Sequence, residues 1–331
     1  MSGMRRREFI SMLGGVAIML PAPRGTLAQQ LGRVRRLGYL TTAAGDNPVD
    51  NAFEEALRHL GWVQGQSIRI EHRYASGRRD AVPSLVDELV GLGLDAWVTW
   101  GPTESLAAKR ATTQIPLVCM ILWDPIDIGL VSNLPHPGGN VTGVTGLGSI
   151  EIFAKRLQLL TEIVPSLSRV AVLVSTEQQG STGPRDALAR AAKSLNLELH
   201  EVEVKVPSDL DAAMRSAKDW GAQGLYTFPG GFTFSFPKQI ADAANAYHLP
   251  TVNSHSEIAL AGGLLAYSAD LKEMARRGAW YIDKILRGTP PGDLPFEQVS
   301  KYKLVINLST AKALGLTIPP GVLAIADEVI E

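Results

Sequence analysis

The side chains able to do chemistry are scattered through this chain. Six histidines are present, His59, His72, His136, His200, His248 and His255, and only His255 with Glu257 forms a close pair. One pair falls short of the three or four ligands that a metal site needs. The single cysteine, Cys119, lies inside an apolar run and cannot form an internal disulfide,. A buried free thiol is usually inert packing, with a nucleophile as the alternative. Gly143-x-x-Gly146-x-Gly148 has the look of a loose phosphate loop, but no lysine or acidic partner follows it,. The signatures of P-loop nucleotide binding, zinc peptidases, serine hydrolases and paired C-x-x-C sites are absent,. No catalytic residue, metal or cofactor is therefore expected, and the chemistry left is recognition. In open α/β sheets ligands bind beyond the carboxyl ends of the strands. Those ends carry Thr41, Thr42, Trp100, Gly101, Thr103, Trp123, Asp124, Ser175, Thr176, Phe228, Asn253 and Tyr267. They mix aromatic faces with small donors and acceptors, as a small-molecule cleft requires. Phe232, Phe234 and Phe236, with Phe228, either rim that cleft or pack at a helix entry.

Positioning these residues is the task of alternating strand and helix units. Strands are expected over 33–40, 67–74, 95–100 and 117–122. Between them, Phe53, Ala56, Leu57 and Leu60, and then Val82, Leu85, Val86, Leu89 and Val90, recur at helical spacing,. Pro102 opens a further helix,. The same grammar restarts with Phe153, Leu157, Leu160 and Ile163 on one helix face, a strand over 169–175, and further units to residue 252. Repeated strand-helix units argue for two doubly wound parallel sheets, hence an α/β chain of two lobes. The stretch Ile115 to Ser149 reads as a buried strand followed by a glycine-laden crossing, with Gly138, Gly139, Gly143 and Gly146 as hinge residues,. The last quarter reads as one more return to the first lobe and back. The expected partition is 33–146 plus 253–268 for lobe 1 and 147–252 plus 269–331 for lobe 2.

With 331 residues, 45% of them hydrophobic and 20% charged, the chain can build two cores,. A formal net charge of −1 without a dense basic stripe argues against nucleic acid,. Residues 1–28 read as a signal peptide: Arg5-Arg6-Arg7-Glu8-Phe9-Ile10 precedes a short apolar core and the small-residue end Thr26-Leu27-Ala28,. Arg6-Arg7-x-Phe9-Ile10 has the form of a twin-arginine export signal,. Cleavage there leaves 28 basic against 32 acidic residues, a mildly acidic exported protein. No heptad run is present, so a monomer is expected,.

The chain carries Asp124-Pro125, Gly129-Leu130-Val131, Pro137-Gly138-Gly139-Asn140-Val141-Thr142-Gly143, Tyr281-Ile282-Asp283-Lys284-Ile285-Leu286-Arg287-Gly288, and the closing Leu304-Val305-Ile306-Asn307-Leu308. Together these strings resemble a bacterial family of ABC transporter substrate-binding proteins that includes tryptophan-binding members. The arginine-rich start and Ala107-Ala108-Lys109-Arg110-Ala111-Thr112 with Ile115-Pro116 belong to the same likeness. The resemblance implies a type I periplasmic-binding fold, two lobes with three crossings that close on a small organic ligand, and a membrane permease and ATPase as partners. Enzyme or sensory use of the same cleft are the alternatives. Three positions depart from the family pattern: Gly101-Pro102-Thr103-Glu104 where Gly-Thr-x-Ala is usual, Ser175-Thr176 where Asn-Pro is frequent, and Tyr267-Ser268 where Tyr-Gly is usual.

Overall fold

The computed structural model describes residues 33–45, 47–122, 124–145, 151–175, 182–298 and 301–331. The expected signal segment 1–28 lies outside them. Two sheets organise the chain. The first has six parallel strands in the order β11-β5-β4-β3-β1-β2. These are β1 (Arg35–Thr41), β2 (Ile68–Tyr74), β3 (Ala96–Trp100), β4 (Leu117–Leu122), β5 (Val141–Thr145) and β11 (Glu297–Gln298). The second has seven, in the order β13-β12-β10-β9-β8-β6-β7. They are β6 (Arg169–Ser175), β7 (Glu198–Val204), β8 (Gly224–Thr227), β9 (Thr251–Asn253), β10 (Leu265–Ala269), β12 (Tyr302–Asn307) and β13 (Glu328–Ile330). Each sheet is covered on both faces, which is why its central strands are apolar throughout rather than alternating,.

Helices α1 (Pro48–His59), α2 (Val82–Val90) and α3 (Pro102–Ala111) flank the first sheet. Those of the second include α4 (Glu151–Ile163), α5 (Thr182–Ser194), α6 (Leu210–Trp220), α7 (Gly231–Ser235), α8 (Pro237–Ala246) and α9 (Ser256–Leu260), with two short helices, Leu308–Ala313 and Pro320–Ala324, between β12 and β13. Asn47 caps α1 by accepting from the backbone N–H of Val49 and Asp50, which fixes the loop between β1 and α1,. Among the described residues no helix is long and apolar enough to cross a membrane.

The long helix α10 (Leu271–Leu286) corrects the expected partition. Met274, Ala275, Ala279 and Ile282 are buried in one core cluster with Phe53 and Leu57 of α1, so α10 belongs to the first lobe. A Cβ at Gly278 would stand 2.9 Å from the Met120 side chain, so small residues let this helix lie close on the sheet. β10, expected in lobe 1, pairs with β9 and β12 inside the second sheet. Lobe 1 is therefore 35–145 with 271–298, and lobe 2 is 151–269 with 302–330. Three connections join them, between β5 and the helix opening at Glu151, at Asp270, and between β11 and β12. Asp270 caps α10 through the Glu273 N–H and also holds Lys303 at 2.8 Å, so the second and third crossings are tied together. β12 leaves the third crossing beside β10, which ends at the second, and the two run antiparallel.

The glycines expected as hinge residues are placed elsewhere. Gly138 and Gly139, both at positive φ, shape the loop from β4 back to β5 within lobe 1. Gly143 lies inside β5, where a Cβ would come 1.9 Å from the Cys119 carbonyl oxygen. Its lack of a side chain serves close strand approach rather than hinge motion. Gly146 falls outside the described residues.

Candidate functional site

The carboxyl ends of the parallel strands of both lobes point toward the crossings, and the lobes touch there. The Ala44 N–H donates to Ser235 Oγ of α7 at 3.3 Å. Gly231, which opens α7, sits so close that a Cβ would meet Thr42 Oγ1 at 3.0 Å. Phe234 packs on the core cluster of lobe 1 and stands edge-on to His255 of lobe 2, ring centroids 5.6 Å apart. Tyr302, just past the third crossing, packs against the main clusters of both lobes and lies over Tyr267 at 5.6 Å. Lobe 1 also approaches near the loop after β4, where Asp127 Oδ2 lies 3.6 Å from the Cβ position of Gly183.

On the lobe 1 side the loop after β1 is held by two side chains. Thr41 Oγ1 accepts from the Ala43 N–H at 3.0 Å. The Thr42 N–H donates to the carboxylate of Glu104, in the first turn of α3. Gly101, at φ +116, precedes that turn, and a Cβ there would stand 3.0 Å from Glu104 Oε2. The glycine is required by its backbone angle and by the packed carboxyl. Glu104 is buried, and desolvation pushes its carboxyl up to about 7, against the hydrogen bonds it accepts and the Arg79 charge. Trp100 is buried with its ring 6.1 Å from Tyr39, and its indole N–H has no acceptor among the described residues. Thr103 is half-buried in the same turn of α3 as Glu104.

Lobe 2 contributes a buried cation. Arg156 of α4 donates from Nε to the Tyr267 carbonyl at 2.7 Å, from one terminal nitrogen to Tyr226 Oη at 3.1 Å, and from the other to the Ser254 carbonyl at 3.3 Å. Beside Ser254, His255 is buried, and its Nε2 finds no partner among the described residues. Burial, and then the Arg156 charge, pushes its imidazole down to about 3, so it is neutral,. His255 does not pair with Glu257, whose Oε2 accepts from Ser256 Oγ at 3.4 Å. Among the described residues no group of three His, Cys, Asp or Glu is placed to hold a metal ion.

The expected ligand residues divide accordingly. Thr41, Thr42, Trp100, Gly101 and Thr103 come together at the lobe 1 strand ends, and Ser175 ends β6 in lobe 2, buried. Tyr267 serves through its carbonyl to Arg156 and its ring on Tyr302. Three expectations are corrected. Phe228 is fully buried against Phe153 in the lobe 2 core, because it ends a central strand beneath α4. Asn253 is fully buried, and its amide donates to Thr251 Oγ1 and the Leu265 carbonyl, locking β9 to β10. Asp124 is exposed, and its carboxylate accepts from the N–H groups of Ile126 and Asp127, holding its own turn,. Trp123 and Thr176 lie outside the described residues. Arg156 was missed, although an arginine at i+4 from Ile152 and i+3 from Phe153 on an apolar helix face was a visible signal.

Comparison with known proteins agrees with this architecture. A tyrosine-binding protein of Clostridioides difficile is 26% identical over 264 residues, covering 80% of this chain and 75% of that protein. A crystal structure of a conserved domain protein from Vibrio cholerae superposes with a TM-score of 0.81 at 23% identity, covering 90% of this chain and all of that one. An ABC domain from Streptococcus pneumonia in complex with L-Trp gives a TM-score of 0.80 at 22% identity, again over 90% of this chain and 100% of that one. The family model described as ABC transporter substrate binding protein matches residues 45–330, and the chain belongs to that family.

Proposed function

We propose that the protein is exported through the segment at residues 1–28, taken as a twin-arginine signal, and captures a small organic solute outside the cytoplasm. The ligand class with the most support is an amino acid with an aromatic side chain, as named for the tyrosine-binding relative and the L-Trp complex. The two lobes close on it, and the closed form is presented to the permease and ATPase of an importer. The protein acts as a monomer and performs no catalysis. The observation that carries this reading is the seam between the strand ends, where Ala44 bonds to Ser235 and Thr42 abuts Gly231 across the lobes. Thr42, Trp100, Ser175, His255 and Tyr267 are the proposed ligand-facing set. A catalytic use of the cleft has little support: burial pushes the Cys119 thiol up to about 11, and that residue lies in the core of lobe 1,. Native mass spectrometry of protein isolated from its own host, followed by calorimetric titration with L-tyrosine and L-tryptophan, tests the proposal. A co-purified amino acid, or saturable binding of one, is expected. Absence of a bound solute together with no heat from a broad amino-acid panel would overturn it.

A further inference from the structure

Beneath the loop that meets lobe 2, five side chains of lobe 1 form one hydrogen-bonded network. Asp50, buried in the first turn of α1, accepts from Tyr39 Oη of β1 and from Tyr74 Oη of β2, the latter at 2.9 Å. Tyr74 Oη also lies 3.0 Å from His72 Nδ1, and His72 Nε2 lies 3.1 Å from Glu54 Oε1, one turn further along α1. Tyr39 and His72 are register partners with ring centroids 4.9 Å apart, and the rings of His72 and Tyr74 stack within 8° of parallel. The network reaches the seam. Tyr74 pairs with Thr41, the last residue of β1, and a Cβ on Gly45 would stand 2.9 Å from its ring, so Tyr74 backs the loop from Thr42 to Gly45. Asn47, which accepts from the Asp50 N–H, donates to the Ala44 carbonyl at 3.2 Å, and the Ala44 N–H is the donor to Ser235 of lobe 2.

The four hydrogen bonds of this network require four protons between the paired atoms. Two phenols and a neutral imidazole supply three, and ionised carboxylates supply none. The fourth is an extra proton. It either charges His72, whose two N–H groups then point at Tyr74 and Glu54, or sits on Asp50, which then donates to Tyr74 while Tyr74 donates to His72 Nδ1. Burial raises the Asp50 carboxyl, against the bonds it accepts from Tyr39, Tyr74 and Asn47 and the His72 charge, which brings the second form closer to the first,. Without the extra proton one bond is lost: with Tyr74 donating to Asp50 and His72 to Glu54, two lone pairs face each other at Tyr74 Oη and His72 Nδ1. Further charges near His72 stand on its own strand. Arg73 donates to the His72 carbonyl at 2.8 Å and pairs with Glu88 of α2, and Glu71 is held by Arg69 at 2.7 Å. From β3 the Trp100 ring, which does not titrate, backs Tyr39.

We infer that this network is a proton-controlled brace for lobe closure: with its extra proton it holds the loop at Ala44 in the geometry that meets Ser235, so solute binding takes up a proton and tightens as pH falls. Proton and solute then favour each other by the same factor. His72 and Tyr74 are positioning residues here and touch no solute. This rests on the solute-binding reading above and names a regulation of the same cleft.

The test is calorimetric titration of the full chain with L-tyrosine and L-tryptophan, or with the member of the amino-acid panel that binds in their place. Titrations run from about pH 5 to 8, the span in which histidines ordinarily change charge, in buffers of different ionisation enthalpy, so that proton uptake is read from the apparent heat. The wild type should bind about three- to tenfold more tightly near pH 6 than near pH 8, the effect of one hydrogen bond, with proton uptake on binding. His72→Gln removes the titrating ring at a partly exposed position, and Tyr74→Phe removes the shared hydroxyl while keeping the ring behind Gly45. In both, uptake should fall to near zero and affinity should become flat with pH; if one fails to fold, the other decides. His59→Gln, at an exposed imidazole 3.6 Å from Glu55 on the same helix, should leave the uptake intact. Glu104→Gln should keep it too, which separates the network from the other titrating carboxyl at this loop. Binding without proton uptake in the wild type, uptake that survives in His72→Gln or Tyr74→Phe, or uptake lost in Glu104→Gln or His59→Gln would overturn the inference and leave solute binding standing. No binding of any amino acid in the panel would overturn the solute-binding reading and this inference with it.

Discussion

Replacing Glu104 by glutamine should change how the stability of the ligand-free protein depends on pH, and the sign and size follow from two buried groups. Desolvation raises the Glu104 carboxyl from its ordinary 4.5 to about 7. In that interval the folded protein holds one proton more than the unfolded chain. Its contribution is therefore full below about 4.5 and is lost as pH rises through about 7. At about 1.36 kcal/mol per pH unit the interval is worth about 3 kcal/mol. His255 has the opposite sign, since burial and Arg156 lower it from 6.5 to about 3. There the unfolded chain holds the extra proton, and stability is lost as pH falls from 6.5 toward 3. The two slopes offset each other from about 4.5 to 6.5, and above that only Glu104 contributes. Glutamine keeps an acceptor for the Thr42 N–H and cannot titrate,. The stability of Glu104→Gln minus that of wild type should be close to zero near pH 4.5 and rise to about 2–3 kcal/mol in favour of the variant near pH 8. Guanidinium unfolding followed by circular dichroism at closely spaced pH values measures the difference directly. A difference that stays flat from about pH 4.5 to 8 would refute the assignment of a suppressed carboxylate at this position.

Cys119 should resist Ellman's reagent at about pH 8 in the native protein and react as a single thiol once denatured, because burial keeps it protonated,. Fast native labelling would show that β4 opens. Gly143→Ala should cost at least about 3 kcal/mol, or prevent folding, because two backbones must separate to admit the methyl group,. A thermal melt within a degree or two of wild type would contradict that packing. Ser235→Ala removes a contact that bridges the lobes without touching ligand, so affinity should fall by about two- to tenfold for every ligand alike,. A changed ligand ranking in that variant would place Ser235 in the binding surface itself.

The two-sheet architecture was legible because each unit combines an apolar strand with a helix-period stripe and a glycine or proline stop, as at β3, Gly101 and Pro102. The partition was not. β10 is only five residues long, and nothing in its composition tells which sheet it joins. In α10, the small residues Ala275, Gly278 and Ala279 announce close packing without naming the partner, which proves to be α1 and β4. Gly143 was misread as a hinge because close strand approach and backbone freedom select the same residue. At the candidate site, strand-end logic picked out Thr41, Thr42, Trp100 and Gly101, which do lie together at the lobe 1 strand ends. It overreached at Phe228 and Asn253, where a strand end is also core. The role of Arg156 could not be read locally, since Ser254 and Tyr267 are 98 and 111 residues away in the chain.

The central claim is that the two lobes close on a small solute. It is tested most directly by small-angle X-ray scattering on protein stripped of ligand by unfolding and refolding, measured with and without an amino acid that calorimetry shows to bind. The account predicts that ligand lowers the radius of gyration and brings the scattering curve toward that of the arrangement in which Ala44 meets Ser235 and Thr42 meets Gly231,. Saturable binding with superimposable scattering curves would contradict closure as the mechanism.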